Sequence, residues 1–175
     1  DSGIEWIGDI PEHWEVRKTV HLFNTIGSGT TPASSNPLYY NGNISWLQTG
    51  DLTDSFVLET RKKITTKALK DYSVLNVYSK GSLCIAMYGA TIGKIGILDV
   101  EACTNQACCI LTNPQDFVET SFVAYWFKSN KKNIISLSQG GGQPNISQNI
   151  IRQLRIALPP LSEQKEIAAY LEEVD

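Results

Sequence analysis

The sequence predicts a mixed α/β fold: one compact body with a twisted mixed or antiparallel sheet and flanking helices, followed by the start of a coiled-coil-type helix. Three observations predict it. Residues 81–113, GSLCIAMYGATIGKIGILDVEACTNQACCILTN, are dense in β-branched and apolar side chains and broken by Gly89, Gly93 and Gly96, the pattern of two or three strands joined by tight turns. Residues 117–130, FVETSFVAYWFKSN, put Phe122, Tyr125, Trp126 and Ser129 at helical spacing, with the three aromatics expected to face a core. Residues 158–175, LPPLSEQKEIAAYLEEVD, open another helical pattern directly after two prolines. A chain of 175 residues with 42% hydrophobic composition fits one domain, or one domain with an appendage.

Taken in order, EHWEVRKTVHLF (12–23) alternates at first and then turns helical, so a leading strand and a short helix are expected. GSGTTPASSNP (27–37) is a breaker-rich loop. ISWLQTGDL (44–52) reads as a β-type run ending in a turn, and ITTKALKDY (64–72) as a short helix capped by Thr65 or Thr66. GGGQPNIS (140–147) has the composition of a mobile loop, and IIRQLRIALPPL (150–161) is expected to close the body with a last strand. Pro159 and Pro160 hold the chain extended, Ser162 is the expected N-cap of the final helix, and Glu163 sits where the helix dipole favours negative charge. Ile167, Leu171 and Val174 then recur at steps of four and three, an apolar seam suited to self-association in a coiled coil; the alternative is a helix packed on its own domain. The expected division is a body at 1–157 and a connecting helix from 158 to 175.

No apolar run approaches the ~20 residues that span a bilayer, and DSGIEWIGD lacks the charge pattern of a signal peptide, so a cytoplasmic protein is expected. Cys84, Cys103, Cys108 and Cys109 form no C-x-x-C pair and are read as buried thiols; no metal site is expected. The net charge of −3 conceals an uneven distribution. Residues 1–60 carry two basic and eight acidic side chains, residues 61–155 twelve and five, and residues 156–175 one and five. A basic middle between acidic ends is expected to face phosphate, through the cations of 61–94 and 128–155.

The tempting catalytic motifs fail on spacing. GATIGKIG (89–96) has three residues before its Gly-Lys pair and Ile95 after it, where a P-loop has four and a Ser or Thr. NPLY (36–39) resembles the Asn-Pro-Pro-Tyr motif of DNA amino-methyltransferases, but Leu38 replaces the second proline. His13 and His21 are accompanied by no nucleophile elbow. Asp51 with Asp54, and Asp99 with Glu101, read as surface turns. No catalytic residue is assigned.

Five polar loops remain. They contain Ser28, Thr30 and Thr31; Trp46 and Thr49, with Gln48 and Asp51 beside them; Tyr88, Thr91 and Lys94; Asn105 and Gln106; and Gln143, Asn145, Ser147 and Gln148 with Asn149. Amide side chains pair with adenine, hydroxyls adapt to several base edges, and Lys or Arg meets guanine or phosphate. These residues are the candidate DNA-binding set.

Three stretches together resemble the specificity (S) subunit of type I restriction-modification systems: IGDIPEHWEVRKTVHLFNTIGSGTTP, GATIGKIGIL with NQACCIL, and LPPLSEQKEIAAYLEEVD. The resemblance spans nearly the whole chain, and the LPPLSEQ ending is its most specific part. It implies a target recognition domain that reads one half of a split site in double-stranded DNA, followed by a spacer helix that sets the distance to a second such domain. It implies no catalysis by this chain. Methyl transfer, with S-adenosylmethionine as cofactor, belongs to partner methyltransferase (M) subunits, and cutting to a restriction (R) subunit. A full-length S subunit usually carries two recognition domains and two helices; this sequence holds one domain and the beginning of one helix, as a half subunit or a fragment does. Two other readings are the recognition portion of a fused restriction–methylation enzyme, and a protein-interaction adaptor whose basic strip is incidental. Equal binding to heparin and random DNA would mark the adaptor.

Overall fold

A computed structural model of the chain describes residues 1–138 and 144–174. Among the described residues, ten strands and five α-helices follow one another as β1 (Glu15–Lys18), β2 (Phe23–Gly27), β3 (Tyr40–Leu47), β4 (Ser55–Val57), β5 (Lys62–Ile64), α1 (Thr66–Asp71), β6 (Leu83–Ala86), β7 (Ile95–Leu98), β8 (Ala102–Thr104), β9 (Cys108–Pro114), α2 (Thr120–Ser129), α3 (Lys131–Ser136), α4 (Gln148–Gln153), β10 (Arg155–Leu158) and α5 (Leu161–Val174).

The strands form three sheets. The largest has the order β2-β9-β6-β7-β4, antiparallel except for the parallel pair β4–β7. A three-stranded sheet, β5-β3-β8, joins β3 and β8 in parallel. The third is the antiparallel pair β1–β10, which brings Glu15 opposite Leu158 and so ties the start of the body to its end. Mixed pairing and helices in one body are the fold class the sequence predicts.

Central strands buried on both faces read as continuous apolar runs. LCIA of β6 and the CCILT portion of β9 are buried throughout. One face of the large sheet, with Leu83, Ile85, Cys109 and Leu111, packs under α2 and α4 in the main core. The other, with Cys84, Cys108 and Ile110, meets Leu47 and Leu52 in a second core. A third cluster, around Trp46, Ile64 and Ala68, sits beneath α1.

Several local expectations hold. Thr65 caps α1, its hydroxyl accepting the amide of Ala68 at 3.3 Å. Residues 28–36 form no regular element. Four differ. Residues 81–113 hold four strands rather than two or three, because the short β8 splits off to join the other sheet. In α2 the buried face is wider than predicted: Phe122, Val123, Ala124, Trp126 and Phe127 are buried, Tyr125 is half-buried and Ser129 is exposed. The cause is that α2 lies between β7 and α5, so two faces are covered instead of one. Residues 148–153 are helical before β10 begins; Ser147 accepts the Ile150 amide at 3.1 Å and so starts α4 where the β-branched Ile150–Ile151 pair points to strand. Finally, α5 begins at Leu161, with the Pro160 carbonyl accepting the Gln164 amide at 3.0 Å, so Ser162 lies inside the first turn instead of capping it.

The inner face of α5 is docked on the body. Gln164 and Ala168 are buried, Ile167 packs against the main core and Leu171 is half-buried. Glu163 ties the same turn to the chain's other end: its carboxylate accepts the Trp14 indole N–H at 3.0 Å and lies 2.8 Å from His13 Nε2. Of the predicted seam, only Val174 is fully outward, in line with the exposed Tyr170 one turn before it.

All four thiols are buried and free. Burial pushes Cys103 up to about 11 and Cys109 up to about 12, and raises Cys84 well above the ordinary thiol value. A thiolate is the reactive form and Cys108 is sheltered by its burial, so an aromatic disulfide reagent at neutral pH is expected to modify none of the four in the native protein and all four after denaturation. Rapid reaction of any one thiol in the native state would contradict this packing.

Candidate nucleic-acid interface

Strand direction gathers the polar loops. In the large sheet, β2 and β6 end, and β9, β7 and β4 begin, at the same end. In the smaller sheet β3 and β8 finish together, with Leu47 opposite Thr104, and β5 starts beside Trp46. Only residues 105–107 separate the end of β8 from the start of β9, so the two sheets present this end side by side. The loops after β2, β3, β6 and β8 therefore emerge together, although they lie up to about 80 residues apart in sequence. The segment before α4 joins them: Asn145 bridges Tyr88, and the Ile146 amide donates to the Met87 carbonyl at 2.7 Å.

Hydrogen bonds lock the loops to one another. The Asn105 amide donates to Leu47 O at 3.0 Å, the Gly29 amide to Asn105 O at 3.3 Å, and the Met87 amide to Ala107 O at 2.8 Å. Ser28 donates its hydroxyl to Cys108 O at 2.7 Å, and Asn105 Oδ1 accepts the Ala107 amide at 3.1 Å. The free carbonyl of Ile26, at the edge of the large sheet, accepts from Gln148 Nε2 at 3.2 Å and from an Arg152 guanidinium nitrogen at 2.8 Å. A rigid, preformed surface of this kind loses little side-chain entropy on binding.

Those of the predicted residues that are described therefore lie at this end, with different exposures. Thr31, Gln106, Tyr88 and Asn145 are exposed there; Thr30, Thr49, Thr91, Lys94, Asn105 and Gln148 are half-buried. Gln143 lies outside the described residues. Two residues serve the scaffold instead of the surface, Trp46 and Ser28, and the exposed Ser147 also caps α4. Trp46 is 1% exposed and spends its indole N–H on the Thr30 carbonyl at 3.2 Å, so it supports the first loop from beneath. Ser28 donates its hydroxyl to Cys108 O, whereas Ser147 accepts the Ile150 amide at the start of α4 and keeps its O–H to donate.

The basic residues separate as well. Arg61 stands at the start of β5 with its side chain 77% exposed, anchored through Asp51, whose carboxylate also accepts the Gln48 amide at 2.9 Å. Lys94 precedes β7, and Lys131 reaches Asp54 at 3.8 Å, the carboxylate that also accepts the Ile95 amide. These three and Arg152 belong to the loop end. Lys80 instead precedes β6, at the far end of the large sheet, where the turn carrying Asp99 and Glu101 also lies. Lys67 is paired with Asp71 on α1 at 2.8 Å. Asp51 and Asp54 read from their spacing as surface-turn acids; both are brackets that fix a loop to the end of a strand. Among the described residues, no group of three or more His, Cys, Asp or Glu side chains could hold a metal ion, and no helix is long and apolar enough to cross a membrane.

Comparison with known proteins agrees with this architecture. The specificity subunit of the type I restriction enzyme MjaIX of Methanocaldococcus jannaschii is 29% identical over 174 residues, covering 97% of this chain and 39% of the relative. The specificity subunit of MjaVIII from the same organism is 25% identical over 166 residues, 95% of this chain and 37% of the relative. The chain thus spans about two-fifths of the length of the curated relatives it matches. Among solved structures, the HsdS subunit of Thermoanaerobacter tengcongensis superposes with a TM-score of 0.70 at 22% identity, over 95% of this chain and 38% of that one. The type IIG restriction endonuclease BpuSI superposes with a TM-score of 0.62 at 10% identity, over 92% of this chain and 26% of that one. The family described as "Type I restriction modification DNA specificity domain" matches residues 11–175, and the chain belongs to it.

Proposed function

We propose that this chain reads one half of a split site in double-stranded DNA for a type I restriction-modification complex, without catalysing a reaction itself. The observation that carries the reading is the convergence of polar loops, remote in sequence, on one end of two sheets beside Arg61, Lys94 and Lys131. Surfaces that read duplex DNA combine phosphate-facing cations with hydrogen-bonding side chains aimed at base edges. Thr30, Thr31, Thr49, Tyr88, Thr91, Asn105, Gln106, Asn145 and Gln148 supply the second component in this reading, and Lys94 and Arg61 the first. S-adenosylmethionine and the methyl-transfer chemistry belong to M subunits, through which an R subunit joins; this chain binds no cofactor of its own. The outward line of α5 through Tyr170 and Val174 continues into the spacer, where a second helix packs on it and fixes the separation of two recognition domains. The whole assembly works in the cytoplasm, where the DNA is.

The test is to map methylated positions in DNA exposed to the assembled complex, with this domain present or replaced by that of a relative. One half of the methylated motif is expected to change and the other to stay. An unchanged motif would overturn the reading. At the phosphate-facing positions, Lys94→Ala and Arg61→Ala are each expected to weaken binding to all duplexes alike and to lower the salt slope of log K by about one. A loss confined to one sequence would mean that these residues touch bases instead.

A second reading places the same domain in a chain fused to methyltransferase and nuclease. The fold likeness to BpuSI favours it, and a methyl-donor site in the reading frame upstream would distinguish it.

A further inference from the structure

The hydrogen bonds of the loop end leave one exposed side chain with a fixed polarity. The Thr31 hydroxyl donates to Gln106 Oε1 at 2.7 Å. Gln106 is exposed at the centre of the gathered loops, in the tight link between β8 and β9. Its backbone is held from both sides. The flanking Asn105 amide is bonded to Leu47 O at 3.0 Å, and Ala107 O accepts the Met87 amide at 2.8 Å. With the backbone held and the amide oxygen turned towards Thr31, the edge directed away from the first loop is Nε2 with its two hydrogens.

A free glutamine offers one donor and one acceptor side by side, which suits adenine, whose major-groove edge is an acceptor beside a donor. An amide whose oxygen is turned inward to a fixed donor leads outward with its N–H groups, even though that oxygen keeps a second lone pair. Guanine alone presents two adjacent acceptors there, N7 and O6. We infer that Thr31 orients Gln106 so that this domain selects guanine over adenine at one position of its half-site. Gln106 is then the specificity-determining residue and Thr31 a positioning residue. The inference rests on the reading of the domain as a DNA reader and adds to it the base that one loop reads.

The experiment uses the assembled methyltransferase complex on a randomised duplex library, reading the base frequencies at methylated sites. The parent is expected to show one position in this domain's half-site with guanine preferred over adenine, and Gln106→Ala to lose that preference by roughly 5- to 100-fold, the effect of one base contact. Thr31→Val removes the bond that orients the amide, lets the oxygen turn outward, and is expected to admit adenine at that same position. Thr31→Ser keeps the hydroxyl and restores the guanine preference, which a merely structural role for the threonine methyl would not produce. Gln106→Glu presents acceptors and shifts the preference towards cytosine, whose amino group donates. The inference is overturned if the position lost in Gln106→Ala selects adenine or cytosine in the parent, or if Thr31→Val leaves the profile unchanged. In that case the domain swap described above still changes the half-site. If the swap changes nothing, the DNA-reading assignment falls and takes this inference with it.

Discussion

Gln164→Ala is expected to destabilise the domain by about 3–6 kcal/mol, a large part of the ~5–15 kcal/mol typical of a folded domain. Gln164 is 0% exposed. Its Oε1 accepts the Glu119 amide at 2.8 Å, and its Nε2 donates to Phe117 O at 2.9 Å and to Pro159 O at 2.8 Å. One side chain thus satisfies three backbone groups around the approach to α2 and the root of α5. A buried backbone group left without a partner costs about 1–3 kcal/mol; water entering the vacated space limits the sum. Gln164→Glu tests the polarity directly, because an ionised carboxylate accepts but does not donate, and two carbonyls would face a charge. Glu166→Ala, on the exposed side of the same helix, is the control and is expected to shift stability by no more than about 0.5 kcal/mol. Denaturant melts check the magnitudes, and hydrogen exchange at the Glu119 amide checks the site. A Gln164→Ala protein that melts with the parent would show that α5 is not seated on the body through this residue.

The same residue explains why the last helix was only half legible. LSEQKEIAAYLEEV announces a helix after two prolines, and Ile167, Leu171 and Val174 announce an apolar seam. A glutamine, however, reads as surface, so nothing in the sequence says that Gln164 faces inward and pulls Ile167 and Ala168 onto the core. Some local signals were legible, namely the Thr65 cap, the loop after β2 and the buried cysteines, whereas the Ser162 cap was not, because the helix starts one residue earlier, at Leu161. Signals that depend on which strands pair were not legible. The parallel pairs β3–β8 and β4–β7 place distant loops side by side, and no periodicity in either strand specifies a parallel partner. The polar loops could therefore be picked out one by one, but their meeting could not. In the sequence Trp46 reads with Gln48, Thr49 and Asp51 as one polar loop. The pleat decides otherwise, turning Trp46 beneath the first loop, where its ring packs edge-on against Tyr40.

Gly29→Ala is the sharpest test of that meeting. A Cβ on Gly29 would lie 1.8 Å from the Thr104 carbonyl oxygen and 2.6 Å from its carbon. Both are backbone atoms of β8, paired with Leu47 of β3, so neither can yield without disturbing the smaller sheet. The first loop must move instead, giving up the bond from the Gly29 amide to Asn105 O and drawing Ser28 and Thr31 away from Gln106. Overpacking against fixed atoms costs about 1–3 kcal/mol, and more where the neighbour is backbone; a loss of that size lowers the melting temperature by roughly 2–4 °C for each kcal/mol in a chain of this length. Gly50→Ala in the neighbouring loop meets nothing closer than the Arg61 guanidinium at 3.5 Å, ordinary contact with a side chain that can swing aside, and should melt with the parent. The two readouts separate stability from recognition. In the assembled complex, Gly29→Ala is expected to blur the half-site read by this domain while leaving the other half of the methylated motif intact, because only the first loop is displaced. A Gly29→Ala protein with the parent's melting temperature and the parent's motif would mean that the first loop does not rest on β8, and the common surface built from these loops would have to be redrawn.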